Sequence, residues 1–176
     1  MIESIYWKKD ILAHSKKLKQ IKKPKRWSNK LQVNFEKEII ITFFMIRKLF
    51  ESNKISNISK KYKALISRIP IKNKKVNSLN YFDLDLYNHQ KEQECLKSIS
   101  FICNQFIHGG ATYAFRNEER KWETIYVCSD FERNKYIYKI SIKEIKNIFK
   151  IIGTDKPTQM NYIYSKEKED YIITIN

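Results

Sequence analysis

Apolar residues recur every three or four positions over 5–22, 28–52 and 88–108, with 54–78 the least readable stretch, and after Gly109–Gly110 the period falls to two. Ile5, Ile11, Leu12, Leu18 and Ile21 form a stripe with lysines on the opposite side, which predicts an amphipathic basic helix over 5–22. Pro24 cannot continue it. Ser28 is a good N-cap for a second helix reaching about residue 52, with Leu31, Phe35, Ile39, Thr42, Phe43, Ile46, Leu49 and Phe50 on one side. Its IIITFFMI stretch is apolar nearly all round, as expected of a helix in the middle of a core. A short helix is expected near 58–67, followed by a loop from Pro70 through the Asn/Lys/Ser cluster. A third long helix is expected over 88–108, with Cys95, Leu96, Ile99, Ile102, Cys103, Phe106 and Ile107 at helical spacing.

Alternation then predicts strands at 111–116, 122–128 and 135–140, joined by the polar turns NEERK and SDFERN. Tyr136, Tyr138 and Ile140 share one face of the third. Ser141 and Glu144 have the spacing of a capping box and open a helix closed by Gly153. Two more strands follow at 160–165 and 170–175 around the turn KEKED. Helices first and a sheet with one helix afterwards make an α+β fold. The expected organisation is a helical part over 1–110 and a small antiparallel sheet subdomain over 111–176, packed as one unit.

A chain of 176 residues suffices for one sizeable core, and only three glycines and three prolines argue against long linkers. No apolar run approaches the roughly 18 residues of a membrane span. The start, MIESIYWKKD, lacks a secretory apolar region. Cys95, Cys103 and Cys128 are odd in number and widely spaced, which suits neither a disulfide framework nor paired zinc ligands. The expectation is a cytoplasmic protein with no membrane partner.

Charge changes this picture most. The net charge is +16, and half of it lies in residues 1–30. There Lys8, Lys9, Lys16, Lys17, Lys19, Lys22, Lys23, Lys25, Arg26 and Lys30 face only Glu3 and Asp10. Such a concentration attracts polyanions, of which nucleic acid is the commonest. The competing reading is compositional. Lysines number 29 and arginines six, a bias that AT-rich coding also produces, whereas nucleic-acid readers favour the arginine fork. The 5–22 helix also has the form of a membrane-surface helix, without a strong aromatic wedge beyond Tyr6 and Trp7.

Candidate chemistry is sparse. The chain has no phosphate-cradling glycine loop and no HExxH, and His14, His89 and His108 share no ligand spacing. Asp83 and Asp85 alternate with leucines, as at a solvated strand or helix start. No metal or other cofactor is expected. Asn104 and His108 stand four apart near the end of the third helix, on one face. A helix C-terminus favours a protonated imidazole, suited to acid–base work on a phosphodiester. Helix capping by His108 is the structural alternative. Tyr126, Tyr136, Tyr138, Tyr162 and Tyr164 fall on expected strands, where aromatics either stack unpaired bases or fill the core.

The segment Cys103-Asn104-Gln105-Phe106-Ile107-His108 resembles the R-N-x-x-x-H motif of HEPN domains, with cysteine at the arginine position. HEPN domains are small helical proteins of prokaryotic defence and toxin–antitoxin systems, and many are metal-independent endoribonucleases acting as dimers. The resemblance implies His108 and Asn104 as catalytic residues, RNA as substrate and a homodimer through the 88–108 helix. A thiol cannot stabilise charge on a scissile phosphate as arginine does, leaving Arg116, Arg120 and Arg133 as sources of that charge. The leading expectation is therefore a nucleic-acid-associated protein, RNA favoured, of HEPN-like ancestry. The alternative is a non-catalytic interaction protein that binds an acidic protein partner or a nucleoprotein assembly.

Overall fold

The computed structural model describes residues 3–18, 28–77, 79–80, 83–119 and 121–175. Within them the chain is α+β, in the order α1 (Ser4–Lys17), α2 (Asn29–Glu51), α3 (Asn57–Lys61), β1 (Lys63–Pro70), β2 (Gln93–Ser98), α4 (Ile99–Ile107), β3 (Ala111–Arg116), β4 (Trp122–Cys128), β5 (Tyr136–Ser141), α5 (Ile142–Thr154), β6 (Met160–Ser165) and β7 (Asp170–Ile175). Two short 3-10 turns, Leu84–Leu86 and His89–Lys91, precede β2. The first five strands form one antiparallel sheet in the order β2-β1-β5-β4-β3, and β6 and β7 form a separate hairpin.

Alternation along each strand sorts the side chains onto two faces. Ala64, Ile66, Ile125, Val127, Tyr138 and Ile140 point to one face and are buried under the helices. The buried side of α2 packs on two helices, where Phe43 stacks on Phe106 of α4 at 4.3 Å and meets Phe149 of α5 edge-on at 5.3 Å. The helix is not buried all round as its pattern predicts, because Ile41 and Phe44 are 42% and 45% exposed. Phe35 stacks on Trp122 of β4 at 4.0 Å. Ser28 accepts the Leu31 N–H at the start of α2, and Ser141 accepts that of Glu144 at the start of α5. Glu144 does not return to complete the capping box, because its carboxylate accepts the Tyr62 hydroxyl at 2.6 Å. Gly153 lies inside α5 rather than ending it. A side chain there would collide with Leu12, so its role is the close approach of α5 to α1.

The opposite face is covered at one end only. Ile69, Cys128 and Ile137 pack there under Val76, Leu86 and Tyr87 of the 71–91 segment, and the Tyr87 hydroxyl donates to the Arg133 carbonyl at 2.8 Å. Beyond this cluster, among the described residues, Leu65 and Phe115 on that face are exposed.

Three expectations from periodicity are corrected. The 88–108 segment is not one helix: Gln93–Ser98 is the edge strand β2, and α4 begins only at Ile99, capped by Ser98. The dimer expected through an 88–108 helix therefore has no such helix to use. The short helix near 58–67 ends at Lys61, and Lys63 opens β1. The two errors have one cause. β1 and β2 pair with each other from Lys63↔Ser98 to Arg68↔Gln93, and β1 also pairs with β5, so distant partners override a local helical spacing. The sheet thus takes strands from both sides of residue 110. Finally, the basic helix expected over 5–22 closes at Lys17 with Leu18 as its cap. Residues 19–27 lie outside the described residues, with Lys19, Lys22, Lys23, Lys25 and Arg26 among them, as does Arg120.

Candidate nucleic-acid interface

The N-terminal lysines do not act as one surface. Lys8 is corrected outright, since it is buried at 6% exposure and belongs to the interior. Its ammonium donates to the carbonyls of Lys54 and Asp155 and pairs with the Asp155 carboxylate at 3.2 Å. The same carboxylate accepts the Ser56 and Ser59 hydroxyls at 2.5 and 2.6 Å and the Ser56 N–H at 3.1 Å. Burial alone would raise the Asp155 pKa, but the serine hydrogen bonds and Lys8 outweigh it and hold the carboxyl below its usual range. This network ties α1, α3 and the end of α5 together. Lys9, Lys16, Lys17 and Lys30 are exposed, with Lys9 over the Tyr6 ring at 5.7 Å and Lys17 paired with Glu38 at 2.9 Å.

A denser basic site stands where the pattern of charge along the chain gave no hint. The start of β4, the junction of β5 with α5 and the end of α1 enclose a hollow of about 480 Å³, with Lys121, Lys143 and Lys146 against the single carboxylate Glu123 in its lining. Each lysine has a local reason to be there. The Asn117 side chain accepts the Lys121 N–H, closing the β3–β4 turn at 2.9 Å, and Lys121 itself meets Glu119. Lys143 and Lys146 are three apart on α5, on one helix face. Leu18, the cap of α1, lines the same hollow.

Next to it, on the open sheet face, lies a larger hollow of about 770 Å³ whose lining includes His89, Phe115, Arg116, Tyr126 and Lys139. Glu123 and Ser141 line both hollows, so the two are contiguous. Phe115 meets Tyr126 edge-on at 5.2 Å, and His89 meets Tyr126 at 6.0 Å. Lys139 pairs with Glu92 at 3.1 Å. Burial works against the Lys139 ammonium, yet the Glu92 hydrogen bond prevails and raises its pKa. Burial raises that of Glu92, but hydrogen bonds from Ser67 and Lys139 bring it below the usual value.

The five tyrosines part company. Tyr126 lines the aromatic hollow. Tyr138 is buried on the helix-covered face, and Tyr136 shares that face under the Arg68 guanidinium at 5.1 Å. Neither takes part in an open stacking surface. Tyr162 and Tyr164 are exposed on the β6–β7 hairpin.

Asn104 and His108 sit at the end of α4, His108 as its exposed C-cap. Gln105 between them accepts the Ser129 N–H at 2.8 Å, and the His108 carbonyl accepts that of Asp130 at 3.0 Å. A side chain at Gly109 would collide with the carbonyl oxygens of Gln105 and Cys128, so glycine permits this docking of α4 on the end of β4. Cys103 is fully buried, and its burial pushes the thiol pKa up to about 12, which keeps it protonated and unreactive. Among the described residues, an arginine not singled out from the sequence reaches Asn104. Arg47 of α2 donates to Asn104 Oδ1 at 3.0 Å while pairing with Glu51 at 2.8 Å. Arg133 pairs with Asp130 instead, and Arg116 lies over the Trp122 ring at 4.3 Å.

Asp83 accepts the Asp85 N–H and so opens a 3-10 turn. Among the described residues no group of three or more His, Cys, Asp or Glu is arranged to hold a metal ion, and no helix is long and apolar enough to cross a membrane. Comparison with protein-family models, with curated proteins and with solved structures finds no match to this chain.

Proposed function

We propose that this protein associates with nucleic acid, RNA in preference, through the lysine-lined hollow. The observation that supports it is the convergence of Lys121, Lys143 and Lys146 from two separate elements onto one concavity. A compositional excess of lysine needs no such convergence. A concave site lined by one sign of charge concentrates polyanions more than the same charges spread over a convex surface. The test is fluorescence anisotropy of labelled single-stranded RNA, duplex RNA and duplex DNA over a salt series. The variant replaces Lys121, Lys143 and Lys146 with glutamine. Wild type is expected to lose affinity steeply with salt. The variant is expected to bind more weakly, with a slope shallower by about 0.7–0.9 for each phosphate contact removed. Equal slopes in the two proteins would reject the hollow as the interface.

A second reading rests on Arg47. Its guanidinium beside Asn104 restores, from a neighbouring helix, the arginine that the HEPN motif has where this chain has Cys103. In that reading His108 is the acid or base of RNA cleavage, leaving a 2′,3′-cyclic phosphate without a metal. Single-stranded RNA incubated in EDTA is expected to be cut by wild type and not by His108→Ala. Equal cleavage by both would exclude His108, and no cleavage by either would leave a non-catalytic binding protein.

A further inference from the structure

We infer that the aromatic hollow on the open sheet face seats an unpaired base of a single-stranded RNA whose phosphates run over Lys121, Lys143 and Lys146. The inference rests on the nucleic-acid reading above and specifies the form of strand it takes. Continuity of the two hollows is the first ground. Glu123 and Ser141 belong to both linings, and Arg116 stands in the lining of the aromatic one. A strand held by its phosphates at the lysines therefore meets the aromatic hollow next along the surface. Binding of single strands combines these two parts, a cationic track and an aromatic platform beside it.

Size and chemistry are the second ground. A volume of about 770 Å³ lies within the range of small-ligand sites. Phe115 lines it and is 40% exposed, so its ring is accessible from the hollow. Its edge contact with Tyr126, and that of Tyr126 with His89, hold the three rings in one cluster. Thr124, Ser141 and Asp85 add donors and acceptors of the kind that meet base edges. Leu84, Asp85 and His89 of the 83–89 segment line the hollow together with Phe115 and Tyr126, and a base stacks on such rings only when it is splayed out of its own helix.

The experiment compares a labelled single-stranded RNA with a duplex of the same sequence on wild type, Phe115→Leu and Phe115→Tyr. Leucine keeps apolar bulk and removes the ring, whereas tyrosine keeps the ring. Wild type is expected to prefer the single strand. Phe115→Leu is expected to lose single-strand affinity by about 5- to 100-fold, the scale of one lost base stack, with duplex affinity unchanged. Phe115→Tyr is expected to bind as wild type. Salt-dependent binding in which Phe115→Leu matches wild type on the single strand would overturn the inference and leave the lysine interface standing. Equal losses on both RNAs would overturn it as well. Absence of any RNA binding by wild type at physiological salt would overturn both this inference and the reading beneath it.

Discussion

The two sides of the five-stranded sheet each carry a lysine–carboxylate pair, and the pairs are unlike. On the helix-covered side Lys8 and Asp155 have side-chain exposures of 8% and 3%, and further hydrogen bonds, from two serines to the carboxylate and from Lys8 to two carbonyls, complete the network. On the open side Lys139 and Glu92 are each about a third exposed, at 32% and 29%, and Lys139 lines a hollow. The same two functional groups thus serve opposite ends. Where water is excluded, an ion pair survives only if its remaining hydrogen-bonding positions are filled, and it then fixes the packing of whatever it joins. Where water has access, the pair contributes little to stability and leaves charge near the surface for a ligand. The covered side is where this molecule keeps its shape, and the open side is where it has exposed rings and cations to offer.

The sharpest break of this comparison is Asp155→Ala. It leaves the buried Lys8 ammonium without its counter-charge and two serine hydroxyls without their acceptor, and a loss of about 3–5 kcal/mol in unfolding free energy is expected by urea titration at neutral pH. The wild type should show the same dependence by titration. Since the folded pKa of Asp155 is depressed, its contribution is fully present above the ordinary aspartate value of 3.8 and is lost as pH falls through the folded value. A variant as stable as wild type would mean that α1 is not held by this network.

The covered side was largely legible in the sequence, and the open side was not. The stripe of α2, the cap at Ser141 and the bounds of the β6–β7 hairpin follow from local spacing, because each depends on residues within a few positions of one another. The burial of Lys8 does not, since its partner Asp155 lies 147 positions away and an amphipathic lysine reads as solvated. β1 was hidden for a related reason: its alternation is short, and its partners β2 and β5 are distant in sequence. The candidate site suffered most. Charge density drew attention to residues 1–30, whereas Lys121, Lys143 and Lys146 are unremarkable until the fold gathers them. One signal was available on the aromatic side. Tyr113 and Phe115 alternate on one strand opposite Tyr126 and Thr124 on the next, so a ring cluster on one face follows once that hairpin is accepted. His89 could not be added, because it arrives through a segment whose strand was read as helix.

Glu92→Gln is the gentler probe and separates the two sides most finely. Because the pair is a third exposed, its removal is expected to cost no more than about 1 kcal/mol at neutral pH, well below the loss at Asp155. The folded pKa of Glu92 is depressed, so the pair's contribution is present above the ordinary glutamate value of 4.5 and disappears as pH falls through the folded value. The stability difference between wild type and Glu92→Gln should therefore close on acidification, while the much larger change from Asp155 is common to both proteins and cancels. Binding should move the other way. Removing the Glu92 carboxylate leaves the Lys139 charge less compensated beside the aromatic hollow, with the more weakly acting Glu123 still near it, so the affinity for single-stranded RNA should rise severalfold at low salt and less at high salt. A variant that loses stability on the scale of Asp155→Ala, with RNA affinity unmoved, would place Glu92 among the structural groups and end the distinction between the two sides of the sheet.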